Sequence, residues 1–238
     1  MKQTPNYTKG VVLFTILVLP SLLYLYLTSG KHNFVYLPII ADQEQNYDLL
    51  LDEARRENPS HHYITDFALN DSLNLSDLDG SLKLIFCSRA SQMDSSRVMA
   101  YMIQTEVWGH LKAYKDLFFI NFVIEDSTHQ FNQFSYEDLK LPKDQWINIP
   151  ISEQELKDLM VGNIWVGKIK DAMLNNGIIN TSEAVIVDRE RRIRSGFDNQ
   201  DRILYTYNNM SKFEIKLLMD DLKLLMAEYQ RELKRRNE

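Results

Sequence analysis

Hydrophobic and polar positions fall into blocks of two kinds along the chain. Short apolar runs bounded by polar residues read as buried strands. Longer stretches with apolar residues every three or four positions read as helices. LKLIFC (Leu82–Cys87) is a run of the first kind. Asp94 to Tyr114 is of the second kind, with Val98, Met102, Val107 and Leu111 near helical spacing. DLFFINFVIED (Asp116–Asp126) predicts a second buried strand, a polar loop follows from Ser127 to Lys143, and QWINIPI predicts a third strand. Ser152 and Glu155 have the spacing of a capping box and start a helix. EAVIVD and RIRSGF predict two strands joined by the turn DRER. Ser211 and Glu214 repeat the capping-box spacing, and Leu218, Leu222, Leu225 and Tyr229 then line one face of a closing helix. The predicted order is strand, helix, strand, helix, strand, strand, helix. That order implies an α/β sandwich with a mixed sheet. A crossover unit followed by a hairpin and a closing helix is thioredoxin-like topology.

The first 60 residues follow a different pattern. GVVLFTILVLPSLLYLYLT (Gly10–Thr28) carries no charge. As a helix it is about 28 Å long, close to the hydrocarbon thickness of a bilayer. Pro20 is tolerable in a membrane helix, and Tyr24 and Tyr26 sit near one end, where amphipathic rings favour the interface. The run is long for the apolar core of a cleaved signal peptide, the rival reading. The expected organisation is a short tail over 1–9, a transmembrane anchor over 10–28, a stalk over 29–60 with a short helix around Tyr47–Glu57, and a compact domain over 61–238. Lys2 and Lys9 favour an inside N-terminus, which puts the domain outside the cytoplasm, facing the periplasm.

Composition narrows the function. The hydrophobic fraction of 45% is enough for a packed core. The net charge of −6 argues against nucleic acid as a partner, and the basic tail RELKRR suits the C-terminal end of a helix. Cys87 is the single cysteine, so no intramolecular disulfide can form. No G-x-S-x-G elbow, H-E-x-x-H pair or phosphate-cradling glycine loop is present.

Several segments taken in order resemble one family. HYITDFALND resembles an h-x-I-P-D-F entry, LIFCSRASQM a strand-to-site junction, and DQWINIPISEQELKDLM a W-x-x-L-T-G strand with its helix. INTSEAVIVDRERRIRSGFD resembles the hairpin H-S-x-x-x-x-L-V-D-x-x-G-x-I-R-G-x-Y-D. Together they resemble the SCO/SenC family, membrane-anchored thioredoxin-fold proteins that deliver copper during respiratory oxidase assembly. The similarity covers roughly residues 61 to 235, and the hairpin is its specific part.

The departures bear on chemistry. The family carries C-x-x-x-C at the junction. Anchoring on Cys87 puts Ser91 at the second cysteine, whereas anchoring on Met93 puts Phe86 and Ala90 at the two positions. The family's hairpin histidine falls on Asn180, its turn glycine on Arg191 and its glycine after I-R on Ser195. Cu(I) is soft and takes thiolate, thioether or imidazole ligands, so Cys87, Ser91 and Asn180 form a degraded ligand set. Met93, Met99 and Met102 read as core filler. His61 and His62 precede the first strand of the domain, and His110 and His129 have no partner at ligand spacing. Dithiol exchange lacks a resolving cysteine, although a cysteine at a helix N-terminus can have a lowered pKa.

The resemblance therefore implies a single-pass protein of the cell membrane, anchored by its N-terminal helix, with a thioredoxin-like mixed sheet flanked by helices. It implies a neighbourhood, protein partners in respiratory oxidase biogenesis or copper handling, whereas the degraded ligand residues imply a non-catalytic binding or scaffolding role. No catalytic residue, cofactor or bound metal is expected. Two alternatives stay open. One is an active copper chaperone using Cys87 with methionine or histidine ligands; the other is a single-cysteine thiol oxidoreductase. Arg191 in place of glycine is expected to change the geometry of the hairpin turn.

Overall fold

The computed structural model describes residues 14–16, 18–21, 37–40, 47–48, 62–130 and 139–236. The chain divides into a unit over Met1–Val35 and a unit over Tyr36–Glu238. In the first, 14–16 and 18–21 are helical. The rest of the run expected to be a transmembrane anchor lies outside the described residues. Among the described residues no helix is long and apolar enough to cross a membrane.

The second unit begins about 25 residues before the expected boundary at 61, so part of the expected stalk belongs to the domain. Leu37, Ile39 and Ile40 are buried. Ile39–Ile40 forms β1, which pairs antiparallel with Tyr47–Asp48 (β2), where a helix was expected. A bulged hairpin follows, Ala68–Asn70 (β3) and Leu73–Asn74 (β4). Then come Leu82–Arg89 (β5), Met93–Met102 (α1), a π-helical segment Ile103–Trp108, Gly109–Leu111 (α2) and Leu117–Glu125 (β6). Trp146–Ser152 (β7) leads into Glu153–Met160 (α3) and Gly167–Met173 (α4). Leu174–Asn175 (β8) and Ile178–Ile179 (β9) make a small hairpin. Glu183–Val187 (β10), Ile193–Arg194 (β11), Tyr207–Asn208 (β12) and Lys212–Arg236 (α5) complete the unit.

The main sheet runs β2-β1-β11-β10-β5-β6-β7, with β12 also on β10. β5, β6 and β7 are parallel, and β10 is antiparallel to β5. This is the mixed, thioredoxin-like sheet the sequence predicts. Its two faces bury separate cores. Leu84, Phe86, Phe119 and Ala184 face α1 and α5, whereas Ile85, Cys87, Phe122 and Val185 face α3 and α4. Alternation along the strands assigns each residue to one core.

Local chemistry sets the helix starts. At α3 both halves of the capping box form: Glu155 N donates to Ser152 Oγ, and Ser152 N donates to Glu155 Oε2. At α5 only half forms as expected. Glu214 N donates to Ser211 Oγ, but the Glu214 carboxylate accepts from Asn208 N and so ties the helix to β12. The predicted face of α5 is buried, with Leu218, Leu222 and Leu225 at 0% exposure. Each such side chain contributes about 1.5–3 kcal/mol.

The helix after β5 corrects the sequence reading. Val98 is 50% exposed, and the buried stripe is Met99, Ile103, Val107 and Leu111. These residues are four apart. On an ideal α-helix each step of four drifts about 40° around the axis. The wider turn of the π segment takes up the drift and keeps the stripe on the core.

A buried ionic group closes the β10–β11 hairpin onto the rest. Asp188 accepts from Arg192 Nε at 2.8 Å and from Arg194 Nη1 at 3.3 Å. Arg194 Nη2 also donates to Leu37 O at 2.8 Å and to Glu228 of α5 at 2.9 Å. Asp188 and Arg194 are fully buried, and Glu228 is 2% exposed. Arg191 takes φ 60°, the left-handed conformation that glycine favours, so its replacement of glycine leaves that turn residue in a glycine-like conformation, contrary to expectation. Its side chain pairs with Asp79 at 3.3 Å, and its carbonyl accepts from Ile64 N. Gly196 is required for another reason. A Cβ there would lie 2.0 Å from Asp221 Oδ2.

Arg194→Leu is expected to cost about 3–5 kcal/mol, because it strands the buried Glu228 carboxylate and leaves Asp188 with Arg192 alone; a urea unfolding midpoint unchanged from the parent would refute this. A second expectation concerns acid. Burial raises Asp221 to about 6, opposed by a hydrogen bond from Tyr207 at 2.7 Å. Its folded pKa lies above the unfolded value of 3.8, so its stabilising contribution is complete below pH 3.8 and is lost as pH rises through about 6. Asp221→Asn should therefore gain up to about 3 kcal/mol relative to the parent between pH 4 and 7. Parallel stability–pH curves for the two proteins would contradict it.

Candidate functional site

The junction after β5 is the place to look for chemistry, because a strand there ends against a helix start. β5 continues past Cys87, held in register with β6 by the pairs Cys87–Phe122 and Arg89–Ile124. A 3-10 turn over Ala90–Gln92 follows, and α1 then begins at Met93. Cys87 is therefore an interior strand residue. It is 1% exposed, packs in the core facing α3 and α4, and burial pushes its thiol up to about 12. Ser91 is exposed on the 3-10 turn.

Asn180 lies between β9 and β10. β10 is antiparallel to β5 with Ala184 opposite Phe86, so Asn180 reaches the C-terminal end of β5, the end nearest Cys87. The two residues share an end of the sheet but not a face. Asn180 lines a cavity of about 230 Å³ on the α1 side. The start of α1 supplies Gln92, Ser95, Ser96 and Met99 to the cavity, and the loop before β10 supplies Asn180, Thr181 and Ser182. Met210, just before α5, closes it. Asn180 is committed locally: its Oδ1 accepts from Ser182 Oγ at 2.7 Å, and its Nδ2 donates to Ala172 O at 3.3 Å. Ser96 Oγ donates to Arg89 O and anchors the helix start to β5.

The alternative register, on Met93, fares no better as a ligand set. Phe86 and Ala90 are buried in the α1-side core, and Phe86 meets Trp146 edge-on at 5.4 Å. Ser91 and Ser95 also stand four apart at this junction, a pair that sequence reasoning passed over. Ser95 faces the same cavity as Asn180. The signal was present: two serines four apart straddle the helix start. Recognising it required knowing that β5 runs to Arg89.

The other sequence-predicted groups are scattered. His61 lies outside the described residues. His62 is buried against the Asn163 carbonyl. His110 bonds the Glu106 carbonyl one turn back on its helix, and His129 bonds Asp126 in an exposed turn. Met93 and Met102 pack against the α1-side core. Among the described residues no three His, Cys, Asp or Glu side chains are grouped to hold a metal. The hydroxyls and amides at the cavity are hard or weak donors. Met99 and Met210 are its only soft ones, and two thioethers without thiolate or imidazole fit Cu(I) poorly.

Comparison with solved structures bears on the fold. A SCO1/SenC family lipoprotein from Bacillus anthracis superposes with a TM-score of 0.51 at 13% identity, over 71% of this chain and 98% of that one. The chain has a SCO-like thioredoxin fold. BsSco, a member of the Sco family of cytochrome c oxidase assembly proteins, gives 0.48 at 14% identity over 71% and 96%. The soluble domain of Sco1 from Bacillus subtilis gives 0.45 at 16% over 68% and 91%. No family model and no curated protein matches the sequence.

The placement of Cys87 has a direct consequence. In the native protein at pH 8 it is expected to react with an aromatic disulfide reagent roughly a thousandfold more slowly than an exposed thiol, in proportion to its thiolate fraction. Urea should release one full equivalent. Fast stoichiometric reaction in native buffer would place the thiol at the surface and overturn the assignment.

Proposed function

We propose that the chain is a membrane-anchored, SCO-like thioredoxin-fold protein with a non-catalytic binding or scaffolding role. Its neighbourhood is respiratory oxidase biogenesis or copper handling, with the domain on the periplasmic side. The neighbourhood follows from the sequence resemblance, above all the hairpin with Asp188 and Arg194. The non-catalytic role rests on one observation: the cavity at the strand-to-helix junction presents hydroxyls, amides and two thioethers, while the only thiol faces the opposite core. The anchor rests on the uncharged run Gly10–Thr28.

The same observation weighs against both alternatives. A chaperone using Cys87 needs the thiolate at the cavity, and a single-cysteine oxidoreductase needs it within reach of a partner's thiol. Burial and a thiol pKa of about 12 oppose both.

A competition titration of the full chain against a colorimetric Cu(I) chelator tests the reading. Affinity is expected to be weak and equal in the parent and in Cys87→Ser. Ser91→Cys with Ser95→Cys and Asn180→His should create a tight, stoichiometric site, because Ser95 and Asn180 line the cavity and Ser91 precedes Gln92 of its wall. Ser91→Cys with Asn180→His alone, which relies on Cys87, should not. Tight copper in the parent, lost on Cys87→Ser, would favour the chaperone instead.

A further inference from the structure

The cavity has features that a poor fit to copper does not explain. All eight side chains lining it are uncharged. Several nearby charges are already engaged: Arg89 pairs with Glu153 at 2.6 Å, and Glu183 and Glu214 both bond Asn208. A bound ion would find no counter-charge on the walls, so the cavity is built for a neutral group.

Its hydrogen-bonding capacity is only partly used. Gln92, Ser95 and Thr181 make no side-chain hydrogen bond to any described residue. Each can both donate and accept. Behind them lies a polar row across three strands. Phe86, Ala184 and Tyr207 are register partners on β5, β10 and β12. Two residues further along, the same register brings Ser88, Ser182 and Asn209 side by side, and Asn209 N donates to Ser182 O at 2.6 Å. Alternation turns all three toward the face on which Ser182 lines the cavity. Ser88 and Asn209 are fully buried, yet Ser88 Oγ and both amide atoms of Asn209 have no partner among the described residues. Unpartnered buried polar atoms are rare and call for an explanation.

We propose that this cavity receives a carboxamide, a neutral group that donates and accepts from one edge. The inference rests on the non-catalytic binding role proposed above and names its ligand chemistry. An amide uses both capacities of the mixed donor–acceptor walls, whereas a carboxylate would use only their donors and an ammonium only their acceptors, each with its charge unpaired. Met99 and Met210 supply adaptable apolar contact to the carbon atoms beside the amide. At about 230 Å³ the space lies below that of drug-sized pockets and suits one side chain or one small molecule.

The carboxamide can come from a free small amide or from an Asn or Gln side chain of a partner peptide, and the test separates the two. The full chain is labelled with 13C-methyl methionine, and the Met99 and Met210 signals are assigned by Met99→Leu and Met210→Leu. Propionamide, propionate and propylammonium are titrated in turn, followed by Gly-Gln-Gly and Gly-Glu-Gly peptides blocked at both ends. Propionamide is expected to shift both signals at concentrations at least tenfold lower than either ion does. Gln-peptide binding tighter than propionamide, and at least tenfold tighter than the Glu peptide, identifies a peptide source; equal or weaker binding identifies the free amide. Ser95→Ala with Thr181→Val, near the surface and outside the buried row, should weaken the response about tenfold while leaving the other methionine signals in place. Equal response to all three small probes, or none up to their solubility, would overturn the proposal and leave ordered water as the partner of the row. The copper titration reads the parent role separately. Tight Cys87-dependent copper binding removes that role whatever the amides do, and amide failure without copper binding removes only this inference.

Discussion

The Arg194 guanidinium, wholly enclosed, is the point at which the separate parts of the domain meet. It bonds Asp188 at the start of the hairpin turn, the Leu37 carbonyl beside β1, and Glu228 on α5. A buried cation has no water to fall back on, so each of these partners must arrive for the others to be satisfied. The consequence is positional. β11 is fixed against β10, the N-terminal segment is drawn onto the sheet edge, and α5 is pinned over the α1-side core. Asp188 itself is pushed up by burial, but Arg192 and Arg194 outweigh this and hold it below the ordinary carboxylate range. The network thus fixes one docking of α5, a specificity that apolar packing along a single helix face does not supply.

That docking shapes the cavity. α5 begins after Met210, and Glu214 in its first turn reaches back to β12. β12 in turn lies on β10, whose preceding loop carries Asn180, Thr181 and Ser182. From the other side, Ser96 ties α1 to the end of β5. Two independent attachments therefore meet around a gap with neutral polar walls. The drift correction by the π segment belongs to the same construction, because it lets a helix with a four-residue apolar repeat stay seated beside α5.

The chemistry of the junction follows from strand alternation more than from residue type. Phe86 and Cys87 are neighbours in the chain and belong to different cores. A thiol one position away on the strand would face the α1 side. The chain instead has the thiol in a dry core where its charged form is suppressed, and serines at the helix start. Fold and the donors presented at one site of it are separable properties of a sequence.

The sequence alone determined the alternating strand and helix order, the two central strands, the capping of α3, the buried face of α5 and the Asp188–Arg194 hairpin. These are local signals, set by apolar period and by side chains within a few residues of one another. It also determined that one cysteine must serve any thiol chemistry. Three other matters were decided only by tertiary contact. Ile39 and Ile40 read as stalk because a strand of two residues has too short a pattern to see; pairing with β11 and β2 makes it a strand. The stripe on α1 was misplaced because its period is intelligible only with a π turn, which the packing partner selects. The cavity draws residues from three segments over more than 100 positions, Gln92 to Met210, and the face that Cys87 occupies depends on where β5 ends. That end is set by its ladder with β6, a long-range pairing that the sequence of β5 by itself does not encode.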